Sequence, residues 1–344
     1  MRWEKRPRLF LRTSEFLWQE GHTAHATAEE AMAETLQMLD VYRRIMQDHL
    51  ALPVIYGEKS ENERFPGADN TYSCEAMMSD KKALQAGTSH FLGQNFAKAF
   101  DISFQDKNGQ MDHAWTTSWG VSTRLIGAII MTHADNDGLV LPPRVAPVKA
   151  AILPISSDEA KLADKLEPMA EKLSKELNTA LNAFCTKVDK QYHMRPGDRF
   201  FYNLQKGVPL RVEIGEREAE EGTVTVVRRD TGKKETVSVD TAATRVQELL
   251  TEIQNGLYEK AKKFRTDNTF DVSSLDELKE FFGKNAKGGF AQAYFAGSCE
   301  DEKDIKDVTG GATIRVFPQD DESTGKCIYT GKEGARKAVF AKAY

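Results

Sequence analysis

The sequence predicts a protein of mixed α and β structure with more than one domain. A chain of 344 residues is too long to fold around one ordinary hydrophobic core. From Val148 the hydrophobic pattern reads as strand, helix and strand, which indicates an α/β unit. Three more strand patterns follow, and Asp230-Thr-Gly232 has the composition of a hairpin turn. Two or three domains are therefore expected.

The first region begins as an extended segment and continues into a long helix. Thr27 is a suitable N-cap residue, and Glu30 stands three positions later, as in a capping box. Further along, a strand is predicted at Ala114–Val121 and a helix from about Thr123. The proline-rich run Gly138–Pro147 ends the region, because successive prolines cannot continue a helix or a central strand.

The middle region is the α/β unit. Strands are predicted at Val148–Ile155 and Ala183–Val188, with a helix between them in which Pro168 should cause a kink or a break. The apolar positions of this helix are Leu162, Leu166, Met169, Leu173, Leu177 and Leu181. The later strands are Pro209–Ile214, Thr223–Arg229 and Glu235–Val239.

An amphipathic helix connects the middle region to a third unit, which runs from about Thr269 to Tyr344. Its apolar positions are Val246, Leu249, Leu250, Ile253, Leu257 and Phe264.

Composition excludes a membrane protein and favours the cytoplasm. Hydrophobic residues make up 40% and charged residues 29% of the chain, and no apolar run approaches the length of a membrane span. Four scattered cysteines form no disulfide framework, which fits a reducing compartment. The net charge of -5 argues against one dominant basic surface. Local Lys and Arg clusters at 206–211, 228–234 and 260–265 are either solvated faces or RNA contacts.

Arginines, rather than a glycine-rich loop, are the candidates for phosphate binding. The sequence has no Gly-x-x-x-x-Gly-Lys-Ser/Thr loop and no glycine fingerprint after a strand. Lys172-Leu-Ser-Lys175 faintly resembles the lysine loop of class I synthetases, but it lies on an amphipathic helix without the partner motif.

Two arginine motifs resemble motifs 2 and 3 of class II aminoacyl-tRNA synthetases. The first is Arg2-x-Glu4 followed by Arg12-x-x-x-Phe16, and the second is the run that ends at Arg124, Ser-Trp-Gly-Val-Ser-Thr-Arg. A guanidinium can grip phosphate oxygens by two hydrogen bonds, a carboxylate can accept from the adenine amino group, and a phenyl ring can stack on the base.

Longer matches identify the family. The stretch from Arg12 to Thr27, which contains Trp-Gln-Glu-Gly-His, resembles the signature of prolyl-tRNA synthetases of the eukaryote- and archaeon-like type. Similar matches follow in family order and span essentially the whole chain. They are Gln85–Phe96, Leu139–Pro147, Lys206–Arg211 and Phe340–Tyr344.

The resemblance implies a class II catalytic core with an antiparallel sheet, incomplete here, at residues 1–147. It also implies an α/β anticodon-binding domain at 148–245, and a connector helix with a small C-terminal α/β domain at 246–344. The implied reaction is ligation of L-proline to tRNA(Pro) by way of prolyl-adenylate, with ATP and Mg²⁺, in a full-length parent that is a homodimer.

The resemblance also implies the site residues. Catalytic roles fall to Arg2, Arg12 and Arg124. ATP binding falls to Arg2, Glu4, Arg12, Phe16, Gln85, Thr88 and Arg124. Proline binding is assigned to Trp18, Glu20, His22, His90, Trp119 and Gly120, with ordinary core packing as the alternative for Trp18 and Trp119. Contacts to tRNA fall to Lys206, Arg211, Glu213 and Arg228.

Two departures from the family pattern carry expectations. Met1 stands where the family continues a strand, and motif 1 and a Thr-x-Glu loop are missing, so this chain by itself is expected to be weak or inactive. In the C-terminal region only Cys299 and Cys327 remain of two cysteine pairs that hold zinc in many members. Tetrahedral thiolate zinc needs four ligands, so no zinc is expected.

Alternatives remain open. The chain could be a non-catalytic tRNA-binding fragment or module. His22-x-x-His25 with Glu29 and Glu30 could form a metal site of a hydrolase if the two histidines shared a helix face. Tyr344 could approach the active site, as the family's C-terminus does, or be a packed chain end.

Overall fold

The computed structural model describes residues 4–283, 286 and 288–344. By internal contacts the chain forms two compact units. Unit 1 comprises residues up to 48, 52–132 and 262–344, and unit 2 comprises 49–51 and 133–261. The three domain ranges expected from the sequence therefore stay a prediction, because these units divide the chain differently.

Both units contain strands and helices within the described residues, which confirms the mixed α and β class. The strands are β1 Trp18–His25, β2 Val54–Glu58, β3 Asn70–Met77, β4 Ala83–Gly93, β5 Ser103–Gln105, β6 Met111–His113, β7 Trp115–Ser122, β8 Ala150–Pro154, β9 Thr186–Val188, β10 Leu210–Ile214, β11 Thr223–Arg228, β12 Lys234–Ser238, β13 Thr269–Asp271, β14 Phe290–Phe295, β15 Thr313–Pro318, β16 Thr324–Gly325 and β17 Ala335–Ala341. The helices are α1 Ala28–Arg44, α2 Asn95–Phe100, α3 Arg124–His133, α4 Glu159–Lys161, α5 Glu167–Ala180, α6 Pro196–Gln205, α7 Glu216–Glu221, α8 Val239–Asp267, α9 Leu275–Phe281 and α10 Cys299–Val308.

Unit 1 is built on a ten-stranded sheet whose order is β1-β7-β4-β3-β2-β15-β17-β14-β13, with β16 on β17. The strands from β1 to β2 pair antiparallel, as expected for the class II core. At the centre, Phe317 pairs with Glu58 and Pro318 with Gly57. A Cβ at Gly57 would collide with the backbone of Phe317, so glycine permits this close approach. The C-terminal strands thus continue the sheet of the core, which the sequence did not predict.

Helix α1 begins where the sequence predicts. The Thr27 hydroxyl accepts from Glu30 N at 3.2 Å, so it occupies an N–H donor that the helix leaves unpaired, and the N-cap prediction is confirmed. The Glu30 carboxylate accepts from Ala26 N at 3.2 Å, one residue before the position that a capping box uses. The extended start is confirmed only in part, because β1 begins at Trp18 and the described residues before it contain a single isolated bridge, Arg8 to Arg12.

Unit 2 contains a five-stranded sheet of order β12-β11-β10-β8-β9, in which β8 lies parallel to β9 and β10. Its core combines the inward positions of this sheet with apolar stripes of α5 and α8, such as Leu173, Leu177 and Leu249. The kink or break predicted at Pro168 appears as a change of helix type: a π-helical turn at Leu162–Leu166 passes into α5, and Pro168 stands in the first turn of α5.

The predicted hairpin at Asp230-Thr-Gly232 is confirmed, since it joins β11 to antiparallel β12. The predicted strand Ala183–Val188 is wrong in its first half, because β9 begins only at Thr186. The side chain of Asn178 accepts from Cys185 N and Thr186 N, at 3.0 Å each, and holds this approach as a turn. Among the described residues, no helix is both long and apolar enough to span a bilayer.

Candidate active site

Three neighbouring strands, β1, β7 and β4, bring most of the candidate residues onto one face of the unit 1 sheet. Glu20 and Thr88 both pair with Gly120, and His90 pairs with Ser118. Residues directly opposite each other in antiparallel strands point to the same face. Gly120, which has no side chain, therefore leaves open space between Glu20 and Thr88.

A β-bulge adds Gln85 to this face. The pairing of β3 with β4 moves from Cys74–Gly87 to Glu75–Gln85, so one residue of β4 has no partner. Without the bulge, Gln85 and Thr88 would point to opposite faces because they are three positions apart. The extra residue reverses the alternation and turns Gln85 to the side of Thr88.

The opposite face of these strands packs against helix α1. The Tyr42 hydroxyl donates to the Gln19 side chain at 2.6 Å, and the Ser89 hydroxyl donates to the Thr35 carbonyl at 2.7 Å. The candidate face is therefore the one directed away from the helix.

Two adjoining cavities lie on the candidate face. Cavity A, of about 210 Å³, is lined by Phe10, Leu11, Thr13, Phe16, Trp18, Gln85, Ala86, Gly87, Thr88, Gly120, Val121, Ser122 and Arg124. Cavity B, of about 590 Å³, is lined by Trp18, Glu20, Lys59, Glu63, Arg64, Phe65, Pro66, Thr71, Gln85, Thr88, His90, Ser118, Trp119 and Gly120. They share four residues: Trp18, Gln85, Thr88 and Gly120.

Arg124, the first residue of α3, contributes a positive charge to the lining of cavity A. Its Nε donates to the Leu11 carbonyl and its Nη1 to the Gln85 carbonyl, each at 3.2 Å. These bonds fix the plane of the guanidinium. With the Phe16 ring in the same lining, cavity A combines an aromatic surface with a permanent positive charge, which suits a purine base carrying phosphates.

Cavity B contains charges of both signs beside aromatic rings. Glu20 lies on one strand, and Lys59 and Arg64 lie on the loop after β2. A carboxylate attracts an ammonium group, and the cations attract a carboxylate. Cavity B is therefore suited to a small zwitterion such as an amino acid.

His90 forms part of the wall of cavity B as a neutral ring. Its Nδ1 lies 3.0 Å from the Thr71 hydroxyl, and its ring lies 4.8 Å from the Phe65 ring, centroid to centroid. Burial, followed by repulsion from Lys59, lowers the pKa of His90 to about 4. At neutral pH His90 therefore carries no charge and serves as a polar surface.

Several predicted residues lie outside the two linings. Arg12 contacts Glu4 at 3.7 Å and donates to the Tyr344 carbonyl at 3.2 Å. His22 lies 3.4 Å from Glu20 and is largely exposed. Arg2 falls outside the described residues. The roles of these residues stay predictions.

Trp119 has a packing role in addition to its place in the lining of cavity B. It pairs with Gly21, and a Cβ at Gly21 would collide with its indole ring. Strand alternation puts this ring on the face opposite to Ser118 and Gly120, the face that packs against α1. Trp18, in contrast, lines both cavities and is 58% exposed.

The predicted tRNA contacts cluster in unit 2, where each arginine already has an acidic neighbour. Arg211 pairs with Glu213 at 2.8 Å, and Arg228 pairs with Asp230 at 2.8 Å. A cavity of about 420 Å³ contains Arg211 and Arg228 together with Arg229 and Lys234 of the basic cluster at 228–234. It also contains residues that the sequence analysis did not connect with RNA: Asp135, Asp137, Asn203, Leu204, Val208, Val227, Asp230, Thr231 and Gly232. Lys206 is exposed, with its Nζ 5.6 Å from the Tyr202 ring centroid.

Sequence reasoning also missed the loop Lys59–Pro66, which lines cavity B. Its composition, with charged residues ahead of Phe65 and Pro66, is that of an ordinary surface loop. The only sequence feature of this loop that indicates a binding pocket is the presence of both positive and negative residues next to an aromatic residue.

The alternative of a histidine metal site is contradicted. His22 and His25 lie on strand β1, where residues three positions apart point to opposite faces. His25 instead contacts the Thr23 hydroxyl at 2.7 Å. Within residues 4–283, 286 and 288–344, no group of three or more His, Cys, Asp or Glu side chains could hold a metal ion.

Comparison with protein families gives three matches in chain order. Residues 1–133 match the tRNA synthetase class II core domain (G, H, P, S and T), residues 149–249 match an anticodon binding domain, and residues 275–344 match the C-terminal domain of prolyl-tRNA synthetase.

Relatives are similar to this chain over its whole length. The proline–tRNA ligases of Christiangramia forsetii and Phocaeicola vulgatus are 49% and 51% identical over all of this chain, which spans 69% of each. The prolyl-tRNA synthetase of Cryptosporidium parvum, solved with L-proline and AMP, superimposes with a TM-score of 0.92 at 37% identity. That match covers 99% of this chain and 71% of the solved one. The same enzyme, solved with halofuginone and AMPPNP, also gives a TM-score of 0.92.

Proposed function

The chain belongs to the prolyl-tRNA synthetase family, and on this premise we propose that it activates L-proline with ATP and transfers it to tRNA(Pro). The observation that carries the proposal is the wall that cavities A and B share, which consists of Trp18, Gln85, Thr88 and Gly120. An amino acid in cavity B would have its carboxylate beside the phosphates of a nucleotide in cavity A.

The proposed reaction has two steps. The ionised carboxylate of proline attacks the α-phosphorus of ATP, a new O–P bond forms, and the bond to the β-phosphate breaks to release pyrophosphate. A terminal ribose hydroxyl of tRNA then attacks the carbonyl carbon of prolyl-adenylate, which gives prolyl-tRNA and AMP. Because the carboxylate is already ionised, positioning and charge stabilisation supply most of the rate enhancement.

Arg124 would hold the phosphates, since its guanidinium is fixed by the Leu11 and Gln85 carbonyls and stays charged. Phe16 would stack on adenine, and Gln85 and Thr88 would hydrogen-bond the nucleotide. Arg2, Glu4 and Arg12 are assigned to ATP by resemblance, and Arg12 would exchange its contacts with Glu4 and Tyr344 for phosphate oxygens. Mg²⁺ would enter bound to the phosphates of ATP, because the lining of cavity A offers it neutral oxygens and no carboxylate.

Proline would be held through its charges and its ring. Glu20 would attract the ring ammonium, the neutral His90 and Trp18 would contact the ring, and Gly120, which has no side chain, would leave space for it; all four line cavity B. His22 would act through Glu20, which it contacts, and Trp119 would support β1. We assign tRNA contacts to Lys206, Arg211, Glu213 and Arg228 in the anticodon-binding match at residues 149–249.

Further parts of the proposal concern the protein as a whole. We assign it to the cytoplasm, which suits its four free cysteines, and to a homodimer. The three domains remain residues 1–147, 148–245 and 246–344. A polypeptide made of these 344 residues alone should be a weak enzyme, because β1 pairs only with β7 among the described strands and Leu17 and Trp18 are 78% and 58% exposed.

A second candidate is a tRNA-binding module without activation chemistry. The ion pair between Glu4 and Arg12 favours this second candidate, because both side chains lie outside the lining of cavity A and contact each other there. Proline-dependent exchange of pyrophosphate into ATP separates the two. Exchange with proline and none with other amino acids supports the synthetase, whereas tRNA binding without any exchange in the full-length protein would leave only the module.

A further inference from the structure

The loop Lys59–Pro66, named here the pocket loop, contributes five residues to cavity B: Lys59, Glu63, Arg64, Phe65 and Pro66. Its regular structure among the described residues is one 3-10 turn at Glu61–Glu63. At the two ends of the loop, Lys59 N donates to the Thr71 carbonyl at 2.8 Å and Phe65 N donates to the Thr71 hydroxyl at 3.0 Å. Side chains of the turn add contacts to the rest of unit 1.

Glu302 on helix α10 holds the beginning of the pocket loop. The Ser60 hydroxyl donates to Glu302 Oε1 at 2.9 Å, and Asn62 Nδ2 donates to Glu302 Oε2 at 3.2 Å. Asn62 Nδ2 also donates to the Cys299 carbonyl at the start of the same helix, at 2.7 Å. Glu302 is 4% exposed, so both carboxylate oxygens are used in a site with little water.

Arg315 on strand β15 holds two residues of the lining itself. Its guanidinium lies 3.6 Å from the Glu63 carboxylate and 3.1 Å from that of Glu75. Glu75 in turn lies 3.5 Å from Lys59 Nζ, which also donates to the Arg315 carbonyl at 3.3 Å. Lys59, Glu75 and Arg315 are all at least 95% buried.

These contacts are additional to those that join the C-terminal strands to the core. The β15–β2 ladder already makes that connection through Phe317 and Pro318. Buried charges are expensive to desolvate, and apolar residues would often give equal stability. A set of buried charges directed at one loop is therefore better suited to fixing position than to strengthening the fold.

We propose that Glu302 and Arg315 are positioning residues for cavity B, which hold the pocket loop in the shape that binds the amino acid. They touch neither cavity themselves and act through Ser60, Asn62, Glu63 and Lys59. That the amino acid is proline rests on the proposed function. That Glu302 and Arg315 fix the pocket loop does not.

The test compares Glu302→Ala with Glu300→Ala in the full-length protein. Glu300 lies on the same helix but is exposed, so it is a matched control. We expect Glu302→Ala to reduce kcat/KM for proline about 10-fold or more, mainly through KM, because a small misplacement of a binding group has effects of this size. The KM for ATP should stay within about 2-fold, and Glu302→Gln, which keeps one acceptor, should recover part of the loss. A purely structural role would move both KM values together.

Ser60→Ala covers the case in which Glu302→Ala fails to fold, because it removes one bond of the interaction and keeps the Glu302 carboxylate, which still accepts from Asn62. Hydrogen exchange gives a readout that needs no activity: amides of residues 59–66 should exchange at least about 10-fold faster in either variant, while those of β3 and β4 do not change. Unchanged exchange in the loop, or equal shifts of the two KM values, would overturn the inference. Faster loop exchange in a protein that does not activate proline would instead refute only the proposed function.

Discussion

Arg124 Nη1 lies 3.2 Å from the carbonyl oxygen of Gln85, the residue that the bulge in β4 turns towards both cavities. The first residue of α3 is thus tied to a strand nearly forty positions earlier in the chain. Two backbone oxygens contact the cation of cavity A, that of Leu11 and that of Gln85, and the second belongs to strand β4.

Arg124→Ala should reduce proline-dependent pyrophosphate exchange by about 100-fold or more, because it removes a preorganised charge that stabilises the transition state. Arg124→Lys should recover little, since an ammonium cannot donate to both carbonyls and to phosphate in one plane. Exchange kinetics in the full-length protein measure this. Arg44→Ala, at an exposed site on α1, is the control, and near-normal exchange by Arg124→Ala would remove Arg124 from the active site.

Arg211→Ala should weaken aminoacylation of tRNA(Pro) about 10- to 100-fold in kcat/KM for tRNA, the range expected when a base-reading arginine is lost. Arg211 lies in unit 2, whereas the cavities of the candidate active site lie in unit 1, so exchange without tRNA should be unaffected. Parallel exchange and aminoacylation assays give the answer. An equal loss in both would mean that the substitution disturbs the fold.

The protein should be isolated without zinc, because only Cys299 and Cys327 occupy the family's ligand positions. Cys327 Sγ accepts from Ala296 N at 3.3 Å and from Thr330 N at 3.4 Å, so the backbone of both missing ligand positions already surrounds the sulfur. Ala296→Cys with Thr330→Cys should therefore create a site for one Zn²⁺ per chain. Elemental analysis of both proteins measures this, and stoichiometric zinc in the unmodified protein would contradict it.

Unit 2 should lose stability as the pH falls from about 6.5 to 4. His133 Nε2 donates to the Leu50 carbonyl at 3.0 Å, and burial lowers the pKa of His133 to about 4. The unfolded chain takes up a proton below about pH 6.5 and the folded chain does not, so unfolding is favoured by up to about 1.4 kcal/mol per pH unit. Above pH 6.5 this contribution is complete.

His133→Gln should flatten this pH dependence, because glutamine has no proton to take up in the unfolded state. Urea unfolding at pH 7.5 and pH 5 compares the two proteins. An identical pH dependence in both would show that His133 does not contribute to it.

A polypeptide of these 344 residues should show pyrophosphate exchange at least about 100-fold below that of the full-length protein, because positioning supplies much of the rate enhancement and β1 is exposed at the border of cavity A. The comparison is made at equal protein concentration. Exchange at a similar rate would show that these residues suffice for proline activation.

Much of this architecture can be predicted from the sequence. The order of motifs around Arg12, Phe16 and Arg124 established the family, because phosphate and adenine binding demand particular residue types at particular spacings. Thr27 and Glu30 predicted a helix start, and Pro168 predicted a break, since both effects act within a few residues of the chain.

Features that depend on pairing between distant parts of the chain were determined only by the tertiary structure. Hydrogen bonds between strands determine three of these features. They are the bulge that turns Gln85 into the cavities, the pairing of Phe317 with Glu58, and the strand alternation that separates His22 from His25. The hold of Glu302 and Arg315 on the pocket loop joins residues about 240 positions apart. Local periodicity carries no information about such partners, because the free energy that selects them comes from burial and pairing in the assembled sheet.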